Sequence, residues 1–261
     1  MVSATFRFYE VLNGFLPPVR RGRDFAAPCA RDATVKHMIE ALGVPHTEAG
    51  LVLVNGESSG FERRLVDGDR VAVYPGIKQF NVQDVQRLRQ WPQGPLRFVA
   101  DAHLGGLARL LRMAGFDTLY DNNYHDAEVE RIACEEERVL LTRDRALLMR
   151  RTVELGCYLH ATDPEEQLRE LFVRLGLASS ALPFTRCLHC NLPLRAVTKA
   201  EVLERLPPRV AEVQDEFTAC DGCRRVFWKG SHYARMRVLL DSVAADVEFP
   251  RPATHHSDAR D

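Results

Sequence analysis

Residues 97–145 read RFVADAHLGGLARLLRMAGFDTLYDNNYHDAEVERIACEEERVLLTRDR, and the fold turns on this stretch. A short apolar run, Phe98-Val99-Ala100, ends in Asp101. A helical pattern follows, with Leu104, Leu107, Ala108 and Leu111 on one stripe and Gly115 placed to end it. A second strand is expected over residues 116–120, then a helix opening near Asp126 with Val129, Ile132 and Ala133 inward. The third apolar run, Val139-Leu140-Leu141, ends in Thr142-Arg143-Asp144. Short apolar runs alternating with helical periodicity predict βαβ units and a parallel sheet. Ligands of such sheets bind beyond the carboxyl ends of the strands. Asp101 and Asp144 fall there, and Asp126 starts the intervening helix.

The same alternation continues beyond Arg145. Residues 156–160 read as a fourth strand, and Asp163-Pro164-Glu165-Glu166 opens a last helix carrying Leu168, Leu171, Phe172 and Leu175. With Pro at the first helical position and Glu at the third, Asp163 reads as a reciprocal helix cap and stays outside the site.

Upstream, residues 1–78 form a separate unit. Residues 5–9 alternate like a strand, residues 33–42 repeat at helical spacing and end at Gly43, and Leu51-Val52-Leu53-Val54 precedes an Asn55-Gly56 turn. Asp67-Gly68-Asp69-Arg70 leads into Val71–Pro75. This ββαββ order resembles the ubiquitin-like β-grasp fold, and LVLVNG and LVDGDRVAVYP resemble its small sulfur carriers. Those carriers end in a free Gly-Gly, whereas here Pro75-Gly76-Ile77-Lys78 runs on, so a docking or substrate-positioning role with a protein partner is expected instead. The basic tract at residues 17–23 reads either as an RNA contact or as an exposed loop. Residues 79–95 are polar and end in Pro92, Gly94 and Pro95, the composition of a linker.

Downstream, residues 183–237 hold two CxxC pairs, Cys187/Cys190 and Cys220/Cys223. Four thiolates so paired suit a closed tetrahedral zinc site. The 29 residues between the pairs exceed the usual spacing, and a helix over residues 199–205 would take up the excess. Residues 224–237 carry five basic side chains and no acid, interleaved with Phe227, Trp228, His232 and Tyr233. Arg224, Arg225, Trp228, Lys229 and His232 could therefore grip single-stranded RNA by charge and stacking. The other reading packs Phe227 and Trp228 beneath the module and leaves the arginines solvated. Residues 249–261 read as a disordered tail.

Composition sets wide bounds. The chain has 261 residues, 46% of them hydrophobic, and a formal net charge of -1, so any nucleic-acid surface must be local. No window is apolar enough to span a membrane, and the first residues lack a signal peptide's pattern. Scattered Cys29, Cys134 and Cys157 read as small buried residues, and the cysteine usage points to the reducing cytoplasm.

Asp101, Asp126 and Asp144 brought together would repel one another unless a cation sat between them. Magnesium or manganese suits such a set and would orient and acidify a water for phosphodiester hydrolysis. Each Asp could also be a plain helix cap, Asp126 above all. No phosphate loop of the GxxxxGK[ST] kind is present, which disfavours ATP hydrolysis.

Taken together, FVADAHLGGLARLLRMAGFDT, HDAEVERIACEEERVLLTRDRALL, RCLHCN and FWKGSH resemble the bacterial and archaeal relatives of the C-terminal domain of Mut-seven exonuclease. The resemblance implies a PIN-like ribonuclease fold over residues 96–180, a zinc ribbon after it and a ubiquitin-like domain before it. It implies that Asp101, Asp126 and Asp144 are metal ligands and that Arg109 and Arg112 on the first helix, with Arg143, meet RNA phosphate. Arg109 and Arg112 read from spacing alone are a solvated helix face. The expected fold is thus multidomain α/β and α+β, and the expected activity is metal-dependent RNA cleavage. A non-catalytic RNA- or ribosome-binding adaptor is the alternative.

Overall fold

The computed structural model describes residues 2–76, 88, 91, 92 and 94–248. Most of the expected linker and the whole expected tail at 249–261 lie outside the described residues.

The N-terminal unit contains β1 (Val2–Phe8), β2 (Phe25–Cys29), α1 (Val35–Ala41), β3 (Ala49–Val54), β4 (Glu57–Ser58) and β5 (Arg70–Pro75). Its sheet runs β2-β1-β5-β3-β4, with β1 and β5 parallel at the centre and the other pairs antiparallel. Alternation puts Ala4, Phe6 and Phe8 of β1 and Val71 and Val73 of β5 on the buried face, where they meet Val35, Met38 and Ile39 of α1. Thr34 caps that helix by accepting from the His37 backbone N–H at 3.2 Å. This is the ubiquitin-like unit the turns and strands predicted.

The central unit contains β6 (Phe98–Ala100), α2 (Gly105–Met113), β7 (Thr118–Leu119), α3 (Asp126–Glu135), β8 (Val139–Thr142), α4 (Arg145–Leu148), β9 (Gly156–Tyr158) and α5 (Pro164–Leu175). All pairings in its sheet, β7-β6-β8-β9, are parallel. The strands β6 and β8 are buried on both faces, because α2 and α5 cover one side and α3 the other. Strand order reverses between β6 and β8, and ligands of such sheets bind in the crevice past the carboxyl ends at that point. Asp163 caps α5, with its Oδ1 accepting from Glu165 N and Glu166 N. The return bond from Glu166 that would make the cap reciprocal is not among the described ones.

The C-terminal part contains β10 (Arg195–Val197), α6 (Lys199–Val202), α7 (Pro208–Val213), β11 (Phe217–Ala219), β12 (Val226–Trp228) and α8 (Ser231–Glu248). Its three strands form an antiparallel sheet in the order β10-β11-β12. Between the cysteine pairs, α6 and a 3-10 turn over Leu203–Arg205 occupy the stretch where a helix was expected, and α7 follows. The boundary expected at residue 237 is corrected, because it cuts through α8. That helix leaves the small sheet and returns Leu240 and Val243 to the core of the central unit, beside Leu168 and Phe172. Tyr233, Met236, Leu240 and Val243 recur at three- and four-residue intervals, the signal that could have revealed the helix.

The N-terminal unit is docked on edge strand β9. Tyr158 N donates to Glu48 Oε1 at 2.7 Å, and Tyr158 O accepts from Arg174 Nη1 at 2.6 Å. Arg174 also pairs with Glu48 Oε2 at 2.5 Å, and the Glu48 side chain has no exposed surface. A carboxylate and a guanidinium thus satisfy the outer groups of the strand that another chain could otherwise pair with. Gly156 leaves room for Leu148 of α4, since a Cβ there would stand 2.5 Å from its Cδ2.

Candidate active site and cysteine centre

Asp101 and Asp144 end β6 and β8, and Thr142 joins them. The Thr142 hydroxyl donates to Asp101 Oδ2 at 2.7 Å and accepts from Asp144 N at 2.9 Å. Thr142 is fully buried, so one hydroxyl fixes the carboxylate of β6 and the turn after β8 together. Asp144 caps α4, with Oδ1 accepting from Ala146 N at 2.7 Å. Its second carboxylate oxygen has no protein partner among the described residues.

Asp126 stands differently. His125 occupies the cap position of α3, so Asp126 is the first helical residue and makes no cap bond. Its Oδ2 accepts instead from Arg150 Nη2 at 3.2 Å, while Arg150 Nη1 donates to Glu130 Oε2 at 2.6 Å. The hydrogen bond to Glu130, with the charges of Glu130, Asp126 and Asp144, raises the Arg150 pKa. A guanidinium therefore neutralises this end of the crevice. Asp101, Asp126 and Asp144 do not form a group of potential ligands within 4.8 Å of one another. Among the described residues, four cysteines alone form a group of potential ligands within 4.8 Å of one another. Arg150 and Glu130 carried no signal in the sequence reading, because their pairing spans 20 residues.

Cys187 Sγ lies 3.5 Å from Cys223 Sγ, and Cys190 Sγ lies 3.2 Å from Cys220 Sγ. Sulfurs bound tetrahedrally at the usual Zn–S length of ~2.3 Å stand roughly 3.8 Å apart, so the set fits a borderline-soft divalent ion. Burial pushes the Cys187 thiol up to about 12. Burial also opposes ionisation of Cys220, yet the backbone N–H groups of Cys223 and Gly222 and the Cys190 thiol bring it down to about 7.

The first cysteine loop is fastened to the central sheet. Asn191 Oδ1 accepts from Thr118 N at 3.0 Å, and Asn191 Nδ2 donates to Asp117 Oδ1 at 2.7 Å. Burial opposes ionisation of Asp117, but hydrogen bonds from Arg138 and Asn191 outweigh it and hold the carboxyl below its ordinary range. Arg112 completes the joint. Its Nε donates to Thr118 O at 2.9 Å and its Nη1 to His189 O at 2.8 Å. The expectation that Arg112 lies on the outer face of its helix is corrected, since it is only 5% exposed. Position 112 follows Ala108 by one turn and so borders the core stripe, which the spacing already contained.

The remaining expected RNA contacts are divided between the central unit and the cysteine-bearing part. Arg109, Arg143, Arg224 and Arg225 are exposed. Trp228 is half-buried against the small cluster of Val202, Leu206 and Phe217, to which Phe227 does not belong. Lys229 pairs with Glu216, and the exposed His232 lies against Arg235.

A ubiquitin-like sheet ahead of a parallel α/β unit with carboxylates at its strand ends, followed by a four-cysteine centre, defines a compound class of protein. Residues 96–240 match the family described as the Mut7-C RNAse domain, and residues 1–81 match Mut7-C ubiquitin. The chain belongs to the Mut7-C RNAse domain family and carries its ubiquitin-like unit at the N-terminal side. Two crystal structures of small archaeal modifier protein 1 from Haloferax volcanii are similar to part of it. They share 21% and 20% identity, each covering 29% of this chain and 98% and 96% of its own, with a TM-score of 0.24 in both. No curated protein matches the chain. Among the described residues no helix is long and apolar enough to cross a membrane.

Proposed function

We propose that this chain is a metal-dependent ribonuclease acting on RNA phosphodiester bonds. The observation that carries the reading is the Asp101–Thr142–Asp144 linkage at the strand-order switch of a parallel sheet, in a chain of an RNAse family. In this reading residues 96–180 form a PIN-like catalytic domain, 183–237 with α8 a zinc ribbon, 1–78 a ubiquitin-like module and 79–95 a linker. Asp101 and Asp144 would hold magnesium or manganese, with Asp126 joining once Arg150 yields it. A bound ion would lower the pKa of a water and neutralise charge developing on the phosphate. The chain's own part is to hold the two carboxylates fixed, and Arg143 beside Asp144 is exposed to meet a phosphate. Zinc would occupy the four thiolates as a structural ion. None of the seven cysteines is in a disulfide, which suits a reducing cytoplasm.

The purified chain should cleave RNA with manganese or magnesium, stop in EDTA, and lose at least about 100-fold in rate as Asp144→Asn. Cleavage that survives this substitution would sink the assignment. Thr142→Val keeps the shape but removes the shared hydroxyl. It should cost roughly 10- to 100-fold in rate or metal affinity, as loss of an orienting partner does, and equal kinetics would refute that role.

One observation favours a second reading. Asp126 is already paired with Arg150, away from any three-carboxylate cluster, as suits an RNA- or ribosome-binding adaptor that keeps the fold without cleaving. RNA binding by wild type and Asp144→Asn alike, with no cleavage by either in any metal, would establish it.

A further inference from the structure

A cavity of about 790 Å³ opens between α2 and the first cysteine loop. Its walls come from two parts of the chain: Arg109, Tyr120 and Asp121 from the central unit, His189, Arg225 and Phe227 from the cysteine-bearing part. Tyr120 ties it to the acidic crevice, since its hydroxyl donates at 3.0 Å to the carbonyl of Ala102, the residue after Asp101. The ring lies across Gly105, where a Cβ would stand 2.5 Å from the Tyr120 hydroxyl oxygen, so only glycine leaves this wall in place.

The charges in the cavity are unevenly committed. Asp121 accepts from Asn123 N at 2.9 Å and from Asn123 Nδ2 at 3.0 Å. Arg112, also in the wall, is spent on carbonyls. Among the described residues, no ion pair or side-chain hydrogen bond engages Arg109 or Arg225. Two exposed guanidiniums from different parts of the chain thus face one cleft beside half-buried aromatic rings. Guanidinium groups match phosphate geometry, and aromatic faces take bases without regard to sequence. The volume suits a ligand the size of a nucleotide or two and leaves no room for a duplex.

We propose that this composite cleft holds single-stranded RNA beside the carboxylate crevice, with backbone phosphate on Arg109 and Arg225 and a base against Phe227. The assignment rests on the ribonuclease reading for its ligand and names what that reading left open, the single-stranded class of RNA. Strand ends and unpaired loops enter the cleft, and a continuous helix does not. The joint through Arg112 and Asn191 makes the cleft a fixed feature, because the wall that bears His189 is anchored to β7.

The test measures RNA binding in the full chain carrying Asp144→Asn, so that affinity is read without cleavage. The probes are a labelled single-stranded RNA and a blunt RNA duplex of the same length, titrated over a range of salt. Arg109→Ala and Arg225→Ala should each weaken single-strand binding by about tenfold and reduce the salt slope by about 0.7. Phe227→Ala should weaken binding and leave the slope unchanged, because stacking releases no counterion. Arg64→Ala, at an exposed site in the N-terminal unit, should match the parent. Unchanged affinity and slope in both arginine variants would overturn the cleft, even where the wild type cleaves RNA. A duplex bound as tightly as the single strand, with the same sensitivity, would overturn the single-strand assignment. Loss of the slope in a chain that never cleaves supports the cleft and removes the nuclease reading alone.

Discussion

Removing the zinc proposed for the four cysteines, by chelation or as Cys220→Ser, should unfold the C-terminal sheet and release the loop that anchors Arg112. The reason is the size of the core that would remain. Among the described residues the cluster of this part has three buried members, Val202, Leu206 and Phe217, with a few half-buried side chains against it, too little apolar surface to offset the entropy of ordering its strands. A structural zinc site contributes apparent binding energies of about 10–16 kcal/mol, and that energy is folding energy. Loss of the sheet would free the loop whose carbonyls hold Arg112 and whose Asn191 holds Asp117. The measurement is zinc content with hydrogen exchange: the amides of β10, β11 and β12 should lose protection while β1 and β5 keep theirs. Metal retention should weaken as pH falls, since protons compete for thiolates and the first thiol to ionise does so at about 7. A zinc-free chain with full protection in the small sheet would refute a structural ion.

The second large effect is expected at the joint between the N-terminal and central units. Glu48→Ala would leave the Arg174 guanidinium buried against Tyr158 O with its main counter-charge gone, Glu170 at 3.2 Å remaining. Burial alone would lower the Arg174 pKa, but the Cys157 thiol and the carboxylates of Glu48 and Glu170 raise it instead, so the charge cannot simply be given up. Breaking a buried pair from one side costs about 3–5 kcal/mol, which for a chain of this size lowers Tm by roughly 10 °C. The double variant Glu48→Leu/Arg174→Met should recover much of the loss, because two apolar groups leave no orphaned charge. Thermal unfolding of the three variants checks this. A Glu48→Ala chain as stable as the parent would show that the units do not depend on one another here.

The consequence for function lies on the far side of that joint. Arg145, the residue after Asp144, donates to Phe15 O at 3.2 Å, and its guanidinium lies 4.9 Å from the Phe15 ring centroid. The ubiquitin-like unit thus holds the first residue of α4, the helix that Asp144 caps.

The sequence by itself determined the secondary structure that carries chemistry. Apolar runs ending in Asp101 and Asp144 could only be buried parallel strands, and their carboxyl ends had to face a crevice, because side-chain period and strand direction are local properties. The paired CxxC units likewise announced their own geometry, since ligand spacing is written along the chain. What only the tertiary structure decided were the partners met across long separations. Arg112 looked like a surface cation until the carbonyls of Leu188 and His189, 76 and 77 residues away, took up its donors. Asp126 showed no sign of its pairing with Arg150, 24 residues on. Glu48 gave no sign that it would seal the edge of β9, 110 residues on. A charged side chain is defined by what finally desolvates and pairs it, and that partner is fixed only when the chain has closed on itself.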